Sequence, residues 1–252
     1  MRAAFFFFTA CLILVPTSAQ ADPKGDVVMR RYDRKTNAFK DITLRWNLTV
    51  KHPGRKASLV KFKVVTRPQG QRLIQMQYPG DIKGMHILVQ SADEMYIYLP
   101  AFRKVRRIAG HVRNQGFQGS GFTYDDMAIG KWAPYYDSTI LREDGKHWWL
   151  DSRAKAGKTP PYPHVQMSIR KDIDLVHEIQ YLDRHGKKYK SQLFLDYRCR
   201  GDNTHCNPTR IQMIEHTRGN LVSEMNLRGG ILYDKGYDDD IFTVRYLHKS
   251  AD

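Results

Sequence analysis

MYIYLPAFRKVRRIAGHVRNQGFQGSGFTYDDM, residues 95–127, is the stretch on which the fold turns. Residues Met95 to Leu99 are β-branched, aromatic or long apolar, and they predict a strand. Pro100 has no N–H to give a ladder and ends it. A second strand follows, Lys104 to Ile108, with Arg103, Lys104, Arg106 and Arg107 set around Val105 and Ile108. Next comes a loop in which Gly116, Gly119 and Gly121 permit backbone angles other residues avoid. That loop carries Phe117, Phe122 and Tyr124, and it can bury Phe117 and Phe122 only by folding back over the sheet. A basic hairpin thus feeds an aromatic, glycine-hinged loop.

The same strand signal extends in both directions. Ile42, Leu44, Trp46, Leu48 and Val50 alternate with Thr43, Arg45, Asn47 and Thr49, a period of two without an error. One face of that strand meets an apolar interior and the other water. Strands are predicted over 59–66 and 71–78 around Arg67-Pro68-Gln69-Gly70, and over 85–90 paired with 95–99. Further strands are predicted over 165–170, 175–182, 189–198, 210–216, 221–227 and 241–247. A short helix over 124–132 is begun by Asp125 and Asp126, acids being favourable near a helix start. Residues 22–40 are a short helix or an irregular lead-in. The Pro/Gly-rich stretch 152–163 reads as a mobile loop or crossover within one domain. A dozen antiparallel strands must close into a barrel, stack as a sandwich or curve around something, and the pattern leaves that choice open.

The chain opens with Met1-Arg2, an apolar run of 13 residues from Ala3 to Val15, and Ala19-Gln20-Ala21. The run is too short for a bilayer, which needs ~20 residues, so residues 1–21 read as a secretory signal peptide cleaved after Ala21. The apolar run continues past Cys11, which argues against a lipid-modified cysteine there. Residues 22–252 then form a single exported domain. Losing Arg2 lowers the formal charge from +15 to +14, which implies an anionic partner. Export to the periplasm excludes most nucleic-acid roles and leaves anionic lipid, a membrane surface or an envelope polyanion. Cys199 and Cys206 bracket a turn-rich loop, and an oxidising compartment favours a disulfide between them. A zinc site with His205 is the alternative, although the spacing is not the usual pair two apart.

Catalytic constellations do not emerge. Gly119-Ser120-Gly121 lacks the glycine two before the serine that a nucleophile elbow requires. A phosphate loop, a His-Glu-x-x-His helix and a dinucleotide fingerprint are absent. Asp238-Asp239-Asp240 reads as a solvated turn rather than a cation site. No cofactor or metal is expected, and the chain is expected not to be an enzyme.

The order Tyr98-Leu99-Pro100, Ala101, Phe102, a basic cluster ending Arg106-Arg107-Ile108, then Phe117-x-Gly119-Ser120 and Tyr124-x-Asp126 resembles the periplasmic outer-membrane lipoprotein-sorting-like (LolA-like) family. Tyr78 to Met85 is similar to the family's Pro-x-x-x-x-Gly strand opening, and 213–216, Leu221 and 242–247 are similar to its closing strands. One position departs: the family usually has Asp after Gly-Ser, where this chain has Gly121. The resemblance implies a mainly β fold, a curved antiparallel sheet forming an incomplete half β-barrel. A few short helices and loops would cover its apolar cavity, which receives acyl chains. It implies a carrier of lipid or lipoprotein between an inner-membrane lipid-exporting transporter and an outer-membrane acceptor. A lipid sensor of the same fold that signals to a membrane partner is the alternative, with an envelope hydrolase third. Leu44, Trp46, Leu48, Tyr96, Tyr98, Phe102, Phe117, Phe122 and Trp132 are the expected lining. Arg103, Lys104, Arg106 and Arg107 are the expected contacts for an anionic headgroup or a partner. One long acyl chain offers roughly 11 kcal/mol gross at about 0.8 kcal/mol per methylene; ordering the cover and losing ligand freedom subtract several kcal/mol, leaving reversible binding.

Overall fold

The computed structural model describes residues 23–249 apart from 53, 69 and 202; the expected leader and Cys11 lie outside these residues. Helix α1 (Pro23–Thr36) leads into six strands, β1 (Ile42–Lys51), β2 (Ser58–Thr66), β3 (Arg72–Tyr78), β4 (His86–Ser91), β5 (Glu94–Leu99) and β6 (Lys104–Arg107). Two short helices follow, α2 (Gly110–Arg113) and α3 (Tyr124–Ala128). Then come β7 (Tyr136–Glu143), β8 (His147–Ala154), β9 (His164–Arg170), β10 (Leu175–Leu182), β11 (Lys188–Arg200), β12 (His205–Glu215), β13 (Leu221–Leu227) and β14 (Leu232–Tyr233), and finally α4 (Val244–Lys249).

The strands form one antiparallel sheet in the order β6-β5-β4-β3-β2-β1-β13-β12-β11-β10-β9-β8-β7, with β14 beside β1. Two meanders therefore run outward from the centre and are joined where β1 pairs with β13, Trp46 opposite Leu227 and Val50 opposite Ser223. The sheet does not close: β6 and β7 are its two edges. Bulges between Lys61 and Phe62, Val89 and Ser91, Ile140 and Arg142, and Val176 and Glu178 help to bend it. This is the incomplete, curved barrel. The chain linking the two edges, 108–135, spans the open side and buries Phe117, Phe122 and Trp132 against the concave face.

Helix α1 lies over the same face. Its Val28, Met29 and Tyr32 are buried in the main core. A Cβ on Gly25 would sit 2.2 Å from the Ser138 carbonyl oxygen, so only glycine lets the helix approach β7 so closely. Asp26 accepts a hydrogen bond from the Ser138 N–H at 2.9 Å and fixes that contact.

The convex face of β2 to β5 is covered as well. Val65, Leu73, Leu88 and Tyr98 form a second cluster with Phe242 and Leu247 of the C-terminal segment. This corrects the expectation of a strand over 241–247. Asp239–Phe242 is a 3₁₀ turn and α4 follows it, because the Asp238 side chain caps the first (accepting from Asp240 N) and Thr243 Oγ1 accepts from Tyr246 N at 3.1 Å at the start of the second. Thr43, on the nominally wet side of β1, is buried for the same reason and donates to the Tyr237 hydroxyl at 3.0 Å.

Other differences are smaller. Strand β7 has no expected counterpart in the sequence pattern. Residues 155–163 join two neighbouring antiparallel strands, β8 and β9, and Tyr162 within them is buried core. The lead-in resolves as helix α1. The helix expected over 124–132 stops at Ala128 and is started by a capping box between Thr123 and Asp126. Cys199 and Cys206 are opposite one another on β11 and β12 and are disulfide-bonded, so the zinc alternative has no thiolates.

Candidate functional site

Between the concave face and its cover lies a cavity of about 300 Å³, at the lower end of the range for ligand pockets. Three rows of side chains across β1, β2 and β3 make much of one wall. Leu44, Val64 and Ile74 form one row and Trp46 with Phe62 the next; Leu48 extends the wall beyond them. Val176, Ile179 and Tyr181 of β10 and Phe194 and Tyr197 of β11 face them. The cover contributes Tyr32, Phe117, Phe122, Met127, Ile129 and Trp132. Phe117 stands edge-on to Phe62 across the gap, with ring centroids 6.4 Å apart.

Polar groups hold the cover in place. The Asp33 carboxylate accepts from the N–H groups of Trp132 (3.0 Å) and Ala133 (2.8 Å). Burial pushes its pKa up against those two bonds. Asn37 Nδ2 donates to Gly130 O at 3.1 Å, and Gly130 presses on Gly70 so closely that a Cβ would lie 2.9 Å from the Gly70 Cα. Arg72 reaches across the cavity to donate to the carbonyls of Met127 and Ile129, the latter at 2.7 Å. Burial pulls its guanidinium down to about 10. It is therefore still a cation at neutral pH.

Helix α3 is pinned by a buried ion pair. The Lys190 ammonium, 2% of whose residue surface is exposed, lies 2.8 Å from Asp126 Oδ2 and donates to the Tyr162 hydroxyl at 3.0 Å. Tyr162 donates in turn to Asp126 Oδ1 at 2.7 Å, and the Thr123 N–H completes the carboxylate's shell at 2.8 Å. Burial first, then the Asp126 charge, pushes the phenols of Tyr162 and Tyr181 well up.

Of the expected lining, Leu44, Trp46, Leu48, Phe117, Phe122 and Trp132 face the cavity. Tyr96, Tyr98 and Phe102 do not, which corrects that part of the expectation. Successive side chains of a strand point to opposite faces, and on β5 it is Met95 and Ile97 that point inward. Tyr96 and Tyr98 pack under the C-terminal segment. Phe102 lies in the turn before β6 and is 69% exposed. Arg103, Lys104, Arg106 and Arg107 follow it in the chain, all exposed on the β6 edge and away from the cavity.

Ser120 is fully buried and donates to the Phe117 carbonyl at 2.6 Å, closing its own loop. Ser191 Oγ lies 3.0 Å from His216 Nε2, whose Nδ1 lies 3.0 Å from Asn220 Oδ1. That hydroxyl is buried on the face opposite the cavity-lining Gln192. Among the described residues no group of three or more His, Cys, Asp or Glu side chains is placed to hold a metal, and no helix is long and apolar enough to cross a membrane. At Gly121 a Cβ would meet Met213 Cγ at 3.0 Å and Glu215 Cγ at 3.2 Å, so any larger residue requires those side chains to give way.

Arg72, Asp33 and the Lys190–Asp126 pair carry no sequence signal as site residues. A charged residue at the start of a strand ordinarily reads as solvated, and only the fold turns these inward.

No curated protein matches the sequence. Solved structures do. A DUF1329 family protein from Desulfovibrio piger superposes with a TM-score of 0.78 at 22% identity, over 89% of this chain and 98% of that one. A structure described as an outer-membrane lipoprotein-sorting protein domain from Vibrio parahaemolyticus gives 0.77 at 19%, over 89% and 98%. A LolA superfamily protein from Nitrosomonas europaea gives 0.71 at 14%, over 88% and 98%. At these identities the likeness establishes the fold. A family model described as "Uncharacterized protein" matches residues 69–249, well over half of the chain. The chain therefore belongs to that family, DUF1329, and has the LolA-like fold that residues 95–127 announce.

Proposed function

We propose that the protein is a periplasmic, non-enzymatic carrier that holds acyl chains of a lipid or lipoprotein and moves them across the envelope toward the outer membrane. One observation carries this reading: an apolar hollow between an open, curved sheet and a cover that polar contacts fasten down. A solid core of the same residues would leave no such space, since interiors are ordinarily close-packed. The names of the similar structures, one described as lipoprotein-sorting, support the cargo class.

The contacts on the cover suit a reversible carrier. Asp33, Asn37 and Arg72 hold it through a few hydrogen bonds, each worth about 0.5–3 kcal/mol net. Swinging it aside would admit cargo larger than the closed cavity. The exposed β6 edge, with four basic residues and Phe102 in the turn before it, then meets the anionic surface of a donor or acceptor membrane, or an acidic face of an inner-membrane transporter or outer-membrane acceptor.

Native mass spectrometry of protein extracted from its own envelope is expected to find bound lipid. Transfer of labelled lipid between vesicles is expected to quicken in its presence. Trp46→Asp and Phe117→Asp, each placing a charge in the hollow, are expected to abolish loading. If both variants fold and load normally, the proposed lining is wrong. Binding without transfer would overturn the carrier role.

A further inference from the structure

Arg72 lies at one end of the cavity wall, and its surroundings are unusual for a cation. Its partners are two backbone carbonyls, those of Met127 and Ile129. Carbonyls satisfy N–H groups but do not neutralise charge, and a cation drawn even partly out of water, as Arg72 is, ordinarily finds an anion. The other charged groups lining the hollow are otherwise engaged. Asp126 is matched by Lys190. Asp33 is held by the N–H groups of Trp132 and Ala133. The titratable neighbour that faces Arg72 is the Tyr32 phenol, and burial keeps it neutral.

The wall next to Arg72 is graded. Arg72 is opposite Thr66, and Thr66 is opposite Ile42, so this cross-strand row has a polar end. The rows beyond it, Leu44 with Val64 and Ile74, then Trp46 with Phe62, are wholly apolar. From Ile42 to Leu48 the wall runs for roughly 20 Å at the rise of a strand. A polar end carrying one positive charge and a long greasy remainder match the two ends of an amphiphile.

We propose that the cavity selects an anionic amphiphile, its acyl chain along the β1–β3 wall and its carboxylate or phosphate group on the Arg72 guanidinium. The planar fork of donors on arginine suits either oxyanion. This rests on the carrier reading and goes further: it names the headgroup charge of the cargo and the residue that recognises it.

The test uses the full mature chain, stripped of lipid, and compares ligands of equal chain length. Palmitate and palmitoyl lysophosphatidate are expected to bind about tenfold tighter than methyl palmitate, or more, the contribution of a charge-assisted hydrogen bond. Acetate and inorganic phosphate, which carry the charge without the chain, are expected to bind far more weakly. Arg72→Gln is expected to bring palmitate down to the affinity of its ester, and Arg72→Lys to retain the preference. Equal affinity of palmitate and its ester in the unaltered chain overturns the headgroup assignment and leaves the carrier reading standing. That comparison holds even if Arg72→Gln does not fold. Free phosphate binding as tightly as the lysophosphatidate also overturns the assignment, by making the site a small-anion site. Failure of every chain-bearing ligand to bind overturns the carrier reading itself.

Discussion

Replacing Lys190 with methionine removes the ammonium from the centre of the polar cluster beneath α3 and leaves a side chain of similar length. Asp126 would then be a buried carboxylate with no cation within reach. It would keep the Thr123 N–H at 2.8 Å, the Thr123 hydroxyl at 3.1 Å and the Tyr162 hydroxyl at 2.7 Å. Breaking one side of a buried pair is destabilising by about 3–5 kcal/mol, and the three surviving hydrogen bonds argue for the lower half of that range. For a domain of this size each kcal/mol shifts the melting temperature by ~2–4 °C, so a fall of roughly 6–16 °C is expected. Urea denaturation and a thermal scan measure it directly. The pair also ties the cover to β11, so the same variant is expected to exchange bound lipid faster. The control is Lys190→Met with Asp126→Asn, which removes both charges and is expected to recover most of the loss, a coupling that a double-mutant cycle isolates. A single variant within ~1 kcal/mol of the unaltered chain would refute the reasoning, as would a double variant whose losses simply add.

Three further outcomes follow from named contacts. Gly121→Asp is expected to destabilise by about 1–3 kcal/mol through overpacking against Met213, with Glu215 adding like-charge repulsion, whereas Gly121→Ala loses less; chemical denaturation of the pair checks the order. Reversing Arg103, Lys104, Arg106 and Arg107 to glutamate is expected to remove binding to anionic vesicles. At ~1 kcal/mol per basic residue near such a surface, neutralising the four alone would weaken it by up to about 10³-fold, and raised salt would mimic the loss; sedimentation with vesicles reads both. Burial holds His86 below its ordinary value, so the unfolded chain, with a value near ~6.5, takes up a proton that the folded chain refuses. Its contribution to stability is therefore full above about pH 6.5 and is lost as pH falls from there toward the lower folded value; His86→Gln is expected to flatten that slope.

Much of the sheet is legible in the residues, because strand formation follows local alternation and turn chemistry. The ladder of Ile42 to Val50, the hairpin closed by Cys199 and Cys206, and the turn at Asp183 to Gly186 need only near neighbours. The basic hairpin and the glycine-hinged loop are likewise local, and together they carry the family resemblance. The aromatic pair Phe117 and Phe122 lies over the concave face as a glycine-rich loop requires. The terminal segment 241–247 misleads because Ile241, Phe242, Val244 and Leu247 are apolar enough for a strand, while the capping groups Asp238 and Thr243 that make it helical sit outside the hydrophobic pattern.

Which way a side chain faces is a different kind of fact. On β2 to β5 both faces are apolar, one against the cavity and one against the C-terminal segment, so hydrophobicity no longer distinguishes inside from outside. Tyr96 and Tyr98 therefore look like lining and are not, while Arg72 looks like a surface residue and lines the hollow. Sequence patterning determined most of the strands, their turns and the covering loop, since those depend on residues a few positions apart. The hollow, the cation within it and the Lys190–Asp126 pair, whose members lie 64 positions apart, were decided by the closing of two meanders onto one cover, and such long-range packing leaves no local trace.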